Sequence, residues 1–123
     1  MKTILIVEDD KNQLLFYEHE LSLEGYNIIT AKDGCEALKK VREHFPDLIV
    51  MDIILPAMDG IELMGSILSE RKNVPIIINT AYSGYRDNFM TWSADAYTIK
   101  SSDLSELKDK INELLGETEC RVS

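Results

Sequence analysis

Five short apolar runs alternate along the chain with longer segments in which apolar residues recur every three or four positions. The runs, at 3–7, 27–31, 47–52, 75–79 and 96–99, have the length and β-branched content of strands. The longer segments, at 11–24, 35–44, 60–71, 83–92 and 104–115, have helical spacing. Strand and helix taking turns in this way predict a parallel sheet with helices on both faces. The first, third and fourth runs contain continuous apolar stretches, as in strands covered on both sides, while the second and fifth are mixed and suit the edges. The expectation is an α/β, doubly wound (βα)5 sandwich with strand order 2-1-3-4-5.

The punctuation agrees with this parse. Gly25 follows the first helical segment as a left-handed cap, Asp33-Gly34 opens the second and Pro46 closes it. Asp59 is a candidate N-cap for the third, and Ser102-Asp103 and Gly116 bracket the last. Leu14, Tyr17 and Leu21 mark the inward face of the first helix, and Leu38 and Val41 that of the second. Ile61, Met64, Ile67 and Leu68 do so for the third, and Leu104, Leu107, Ile111 and Leu114 for the last. Segment 83–92, with Gly84 and Asn88, is the weakest helix former and suits a segment that moves.

A chain of 123 residues is one domain by size, read as 1–116 with a polar tail at 117–123. Its net charge of −9 argues against direct binding to nucleic acid or an anionic membrane. No run reaches the ~18 apolar residues of a membrane span, nor does the start offer a signal-peptide core, so a cytoplasmic location is expected. Cys35 and Cys120 stand alone, without metal-thiolate or redox spacing.

Polar chemistry gathers where the strands end. Glu8-Asp9-Asp10 follows the first run, Asp52 ends the third, Thr80 follows the fourth and Lys100 the fifth. In an open parallel sheet the carboxyl ends of the strands, at the switch in strand order, form the ligand crevice. Asp10 reads as a helix cap, but Glu8 and Asp9 with Asp52 exceed what capping requires. Crowded carboxylates repel one another unless a cation sits among them, and hard oxygen donors suit Mg²⁺ (or Mn²⁺), with the Ile54 carbonyl as a further candidate ligand. A carboxylate beside such an ion, with the Lys100 ammonium and Thr80 hydroxyl nearby, can attack phosphorus and form an acyl phosphate.

In these pieces, Ile4-Leu5-Ile6-Val7-Glu8-Asp9-Asp10, Asp52 to Gly60, Thr80-Ala81 and Ala94 to Lys100, the chain resembles the response-regulator receiver domains of two-component signalling over nearly its whole length. The resemblance implies a flavodoxin-like fold and a stand-alone, chemotaxis-regulator-like switch. It implies that Asp52 takes a phosphoryl group from the phosphohistidine of a histidine kinase or histidine phosphotransfer protein. Glu8, Asp9, Asp52 and the Ile54 carbonyl would hold the metal, and Lys100 would neutralise the phosphoryl group. Thr80 would move to hydrogen-bond it, and Tyr97 would rotate inward behind Thr80. The implied chain is a switch that modifies itself rather than a turnover enzyme, acting on a downstream protein as a monomer or weak homodimer. Asn12, Gln13, Phe16 and Tyr85 are the candidate partner surface.

Departures from the family pattern carry their own expectations. Ser101 stands where receivers usually have Pro after the lysine, so Lys100–Ser101 is either trans with a rearranged loop or strained. Ile54 and Tyr82 cannot place a water as an amide or carboxylate does, which predicts slow self-dephosphorylation. A haloacid-dehalogenase-type phosphatase would need an Asp where Ile54 stands, and a flavin phosphate would be repelled by Glu8-Asp9-Asp10. A non-phosphorylated pseudo-receiver acting as a scaffold is the remaining rival.

Overall fold

A computed structural model of the chain describes residues 2–52, 60–81 and 94–116. The strands β1 (Thr3–Val7), β2 (Asn27–Ala31), β3 (Leu48–Met51), β4 (Ile76–Thr80) and β5 (Ala96–Ile99) form one parallel sheet in the order β2-β1-β3-β4-β5. Four helices are described: α1 (Lys11–Leu23), α2 (Gly34–His44), α3 (Gly60–Glu70) and α4 (Ser105–Leu115). None of them is long and apolar enough to cross a membrane. The predicted helix at 83–92, the Asp59 cap, Ile54, Tyr82, Tyr85 and the tail at 117–123 lie outside the described residues.

Every residue of β3 and β4 is buried, as a strand covered on both faces requires, and alternation divides their side chains between two cores. On one face Leu5, Val7, Ile49, Met51, Ile76 and Ile78 pack against Ala37 and Val41 of α2 and Leu63, Met64 and Ile67 of α3. On the other, Ile4, Ile6, Leu48, Val50 and Ile77 meet Tyr17 and Leu21 of α1 and Leu107 and Ile111 of α4. Each such aliphatic side chain contributes roughly 1.5–3 kcal/mol relative to exposure, so the two cores dominate stability. Leu63 was not among the inward positions expected from spacing, whereas Leu14, Leu38, Leu68 and Leu114 are only partly buried.

The helix ends are set by side chains. Asp10 caps α1, its Oδ1 accepting from the N–H groups of Asn12 (2.9 Å) and Gln13 (3.2 Å), and Asp33 caps α2 by accepting from Glu36 N–H at 2.8 Å. Gly25 (φ 95°) and Gly116 (φ 70°) take the left-handed turn after α1 and α4, as a residue without Cβ does most readily. The turn after α2 is made by Phe45 at φ 47°, which is 64% exposed and lies under the Arg71 guanidinium.

Two aspartates extend the ladder beyond the strands. Asp47 donates its N–H to the Thr3 carbonyl and accepts the Thr3 N–H on Oδ2, both at 2.7 Å. Asp95 does the same to Ile76, at 2.8 and 2.9 Å. The third strand is therefore shorter than the run 47–52, with Asp47 and Asp52 flanking it, and the fourth is shifted by one residue to include Thr80. Pro75 offers only a carbonyl, which accepts from Ile49 N–H at 2.9 Å. No described peptide bond is cis, so Lys100–Ser101 is trans.

Candidate functional site

The strand order places the ends of β1 and β3 side by side, with β4 and β5 following. Glu8 and Asp52 are the first residues past β1 and β3, held there by Glu8 N–H to the Ala31 carbonyl (3.0 Å) and Asp52 N–H to the Val7 carbonyl (3.3 Å). Both are acids in buried positions, 2% and 7% exposed. Lys100, just past β5, is anchored by its N–H to the Thr80 carbonyl at 2.8 Å. Its ammonium lies 2.6 Å from Glu8 Oε1 and 2.6 Å from Asp52 Oδ2.

Burial pushes the Glu8 carboxyl above its usual range, and the bonds from Lys100 and from Asp10 N–H (3.1 Å to Oε2) only partly reverse it. For Lys100, burial acts to lower the pKa, but the hydrogen bonds and charges of Asp52 and Glu8 outweigh it and hold the proton more firmly than in an ordinary lysine. The lysine is thus charged, and the surplus is negative. Glu8, Asp9 and Asp52 against Lys100 leave a formal charge of about −2, which a divalent cation matches.

The donor set therefore fits a hard cation in charge and atom type. Among the described residues no three acidic, histidine or cysteine side chains already converge on one point. Lys100 lies between two of the acids, and Asp9 is exposed. Ile54 lies outside the described residues.

The other expected residues fall around this centre. Thr80 ends β4 and is 0% exposed, while Ala81 beside it is exposed. Tyr97 is half-buried, packed against the core beneath α2 and α3. Asn12, Gln13 and Phe16 line one groove together with Lys100, Ser101 and Ser102, so α1 and the segment after β5 form a continuous surface at the site. Phe16 is half-buried, tilted against Tyr17 with ring centroids 5.8 Å apart. Sequence reasoning did not find the buried polar contacts of Asn79 with Tyr17 (3.0 Å) and Thr98 (2.9 Å); an Asn inside an apolar run was the available signal.

Comparison with known proteins agrees with this arrangement. The chain is 40% identical over 117 residues to response regulator ArlR of Staphylococcus aureus, covering 94% of this chain and 53% of that protein, so it spans about half the relative's length. It is similar to the response regulator TrrA of Thermotoga maritima, solved in complex with Mg²⁺-BeF, at 44% identity and TM-score 0.89, covering 93% of this chain and 99% of that one. TrrA has also been solved in complex with the histidine kinase ThkA, and there the likeness is 44% identity and TM-score 0.88, covering 94% and 99% of the two chains. A CheY-like receiver domain protein of Methanospirillum hungatei matches at 34% identity and TM-score 0.89 over 98% of both chains. The pattern of the response regulator receiver domain matches residues 4–112. With the sheet order, the acidic crevice and the lysine all in place, the chain belongs to the response regulator receiver domains of two-component signalling.

Proposed function

We propose that Asp52 accepts a phosphoryl group from the phosphohistidine of a histidine kinase or histidine phosphotransfer protein, and that the chain is a signalling switch rather than a turnover enzyme. The observation that carries this reading is the Lys100 ammonium, 2.6 Å from both Asp52 and Glu8. A carboxylate oxygen of Asp52 forms a bond to phosphorus as the phosphorus–nitrogen bond to the donor imidazole breaks, and the imidazole takes up a proton. Lys100 then pairs with the transferred oxygens. The phosphoryl group adds roughly −1.5 to −2 charge and three acceptors, which recruit the Thr80 hydroxyl and let Tyr97 turn inward behind it. Glu8, Asp9 and Asp52, with the Ile54 carbonyl, would hold Mg²⁺ or Mn²⁺, which supplies charge neutralisation between phosphoryl oxygens and carboxylates.

The complex of the relative TrrA with ThkA supports a kinase as donor, and its Mg²⁺-BeF complex supports the metal. The groove of Asn12, Gln13, Phe16, Ser101 and Ser102 is the docking surface for that donor, beside Asp52's partner Lys100. A downstream protein reads the change around Thr80 and Tyr97. Incubation with acetyl phosphate and Mg²⁺ tests the reading by intact mass. A single phosphoryl adduct that disappears in Asp52→Ala and on chelation supports it, and no adduct on the wild type would leave a pseudo-receiver scaffold.

A further inference from the structure

On the sheet face covered by α1 and α4, three buried polar groups take no part in the chemistry above. Asn79, 4% exposed, follows the apolar residues Ile76 to Ile78 of β4 and directly precedes Thr80. Its Nδ2 donates to the Tyr17 hydroxyl of α1 at 3.0 Å, and its Oδ1 accepts from the Thr98 hydroxyl of β5 at 2.9 Å. Tyr17 and Thr98 are each 1% exposed. A buried amide and two hydroxyls are costly unless mutually satisfied, and an aliphatic residue at 79 would avoid the demand altogether.

The placement of the network gives it a use. Asn79 and Thr98 are register partners across β4 and β5, and the next pair along is Thr80 with Ile99. One step beyond, Lys100 N–H meets the Thr80 carbonyl at 2.8 Å. This side-chain bond between the two strands thus lies immediately behind the residues that carry the site's hydroxyl and ammonium. Tyr17 ties that same point to α1, whose neighbouring Phe16 lines the groove beside Lys100.

We propose that Asn79 is a positioning residue: by gripping Tyr17 and Thr98 it fixes the ends of β4 and β5, and with them Thr80 and Lys100, against α1. Its effect on phosphorylation rests on the reading of Asp52 as acceptor, whereas its effect on the Lys100 backbone does not. Thr98→Val keeps the shape and removes the hydroxyl, while Thr98→Ser keeps the hydroxyl and removes a methyl group. Asn79→Leu with Thr98→Val removes both partners of one bond, and with them the donor to the Tyr17 hydroxyl. Tyr17→Phe removes the contact to α1.

Two quantities are read at matched stability, set by urea unfolding: amide exchange of Lys100 N–H and the initial rate of Asp52 phosphorylation by acetyl phosphate. Thr98→Val is expected to speed the exchange and slow phosphorylation roughly three- to tenfold, as losing one net hydrogen bond allows, the double variant, which loses two, to do so at least as much, and Tyr17→Phe to do so less. Thr98→Ser should stay near wild type in both. A purely packing role gives the opposite order, with Ser worse than Val. That order, or wild-type behaviour in every variant, overturns the proposal. Absence of an adduct on the wild type would overturn the acceptor reading instead, and the Lys100 exchange would still decide the role of Asn79.

Discussion

Asp95 and Ile76 hold each other by two hydrogen bonds, backbone N–H to carbonyl at 2.8 Å and backbone N–H to carboxylate at 2.9 Å, and Asp47 holds Thr3 in the same way. A slip of two residues between parallel strands preserves which side chains face each core, so apolar alternation alone does not forbid it. The carboxylates do forbid it, because each finds its N–H in one register only. Asp47→Ala and Asp95→Ala should each lower the unfolding free energy by about 1–2 kcal/mol, Asp47 more because Asp95 is exposed. Urea unfolding with an unchanged slope is the check, and wild-type midpoints in both variants would contradict the role.

Phe45 closes α2 in a left-handed conformation that disfavours a side chain. Comparing Phe45→Gly with Phe45→Ala isolates that strain, since both lose the contact 5.4 Å from Arg71. Glycine should be the more stable of the two by about 1 kcal/mol, the reverse of their order inside a helix. Thermal or urea unfolding giving alanine the advantage would refute this.

At the start of α4, the Asp103 carboxylate accepts from the Ser105 hydroxyl (2.6 Å) and the Ser105 N–H (2.9 Å), and these bonds lower its pKa. A carboxyl whose folded pKa is depressed adds stability above its unfolded value, and that stability fades as pH falls through the folded value. Asp103→Asn should therefore flatten part of the acid limb of a stability–pH curve below the ordinary aspartate range, leaving the neutral-to-alkaline slope unchanged. Identical acid limbs would show that the bonds carry no proton linkage.

Lys100 neutralises part of the charge that a metal would meet. Lys100→Met should bind Mg²⁺ more tightly, about tenfold or ~1.4 kcal/mol, by titration calorimetry. The same variant should lose on the order of 10²-fold in phosphorylation rate by acetyl phosphate, because the transferred oxygens lose their cation. Weaker Mg²⁺ binding in this variant would mean that the lysine organises the carboxylates rather than competing with an ion for them.

The parts most legible in the sequence were those set by local chemistry. The runs 3–7, 27–31 and 96–99 became strands with the same bounds, since charged or turn-forming residues close them. The Asp10 cap and the left-handed Gly25 were equally readable. The fourth strand moved by one because Pro75 has no N–H to give, while Thr80 still has a strand partner in Ile99. Topology let Glu8, Asp52, Thr80 and Lys100 be assigned to one edge, but not that Lys100 would sit between two acids; that depends on side-chain reach. The Asn79 contacts span 62 and 19 residues, and no local pattern links such partners.

The lysine between Glu8 and Asp52 also bears on how the molecule comes to be folded. In a pocket of bare carboxylates, mutual repulsion would oppose the approach of the strands that carry them. Here a lysine just past β5 brings a positive charge from within the chain, covalently supplied at a fixed stoichiometry, so Glu8 and Asp52 have a shared partner as the sheet closes. Under the proposed function an ion would set when the switch is competent, while the pairing of Glu8 and Asp52 is already supplied by the chain itself.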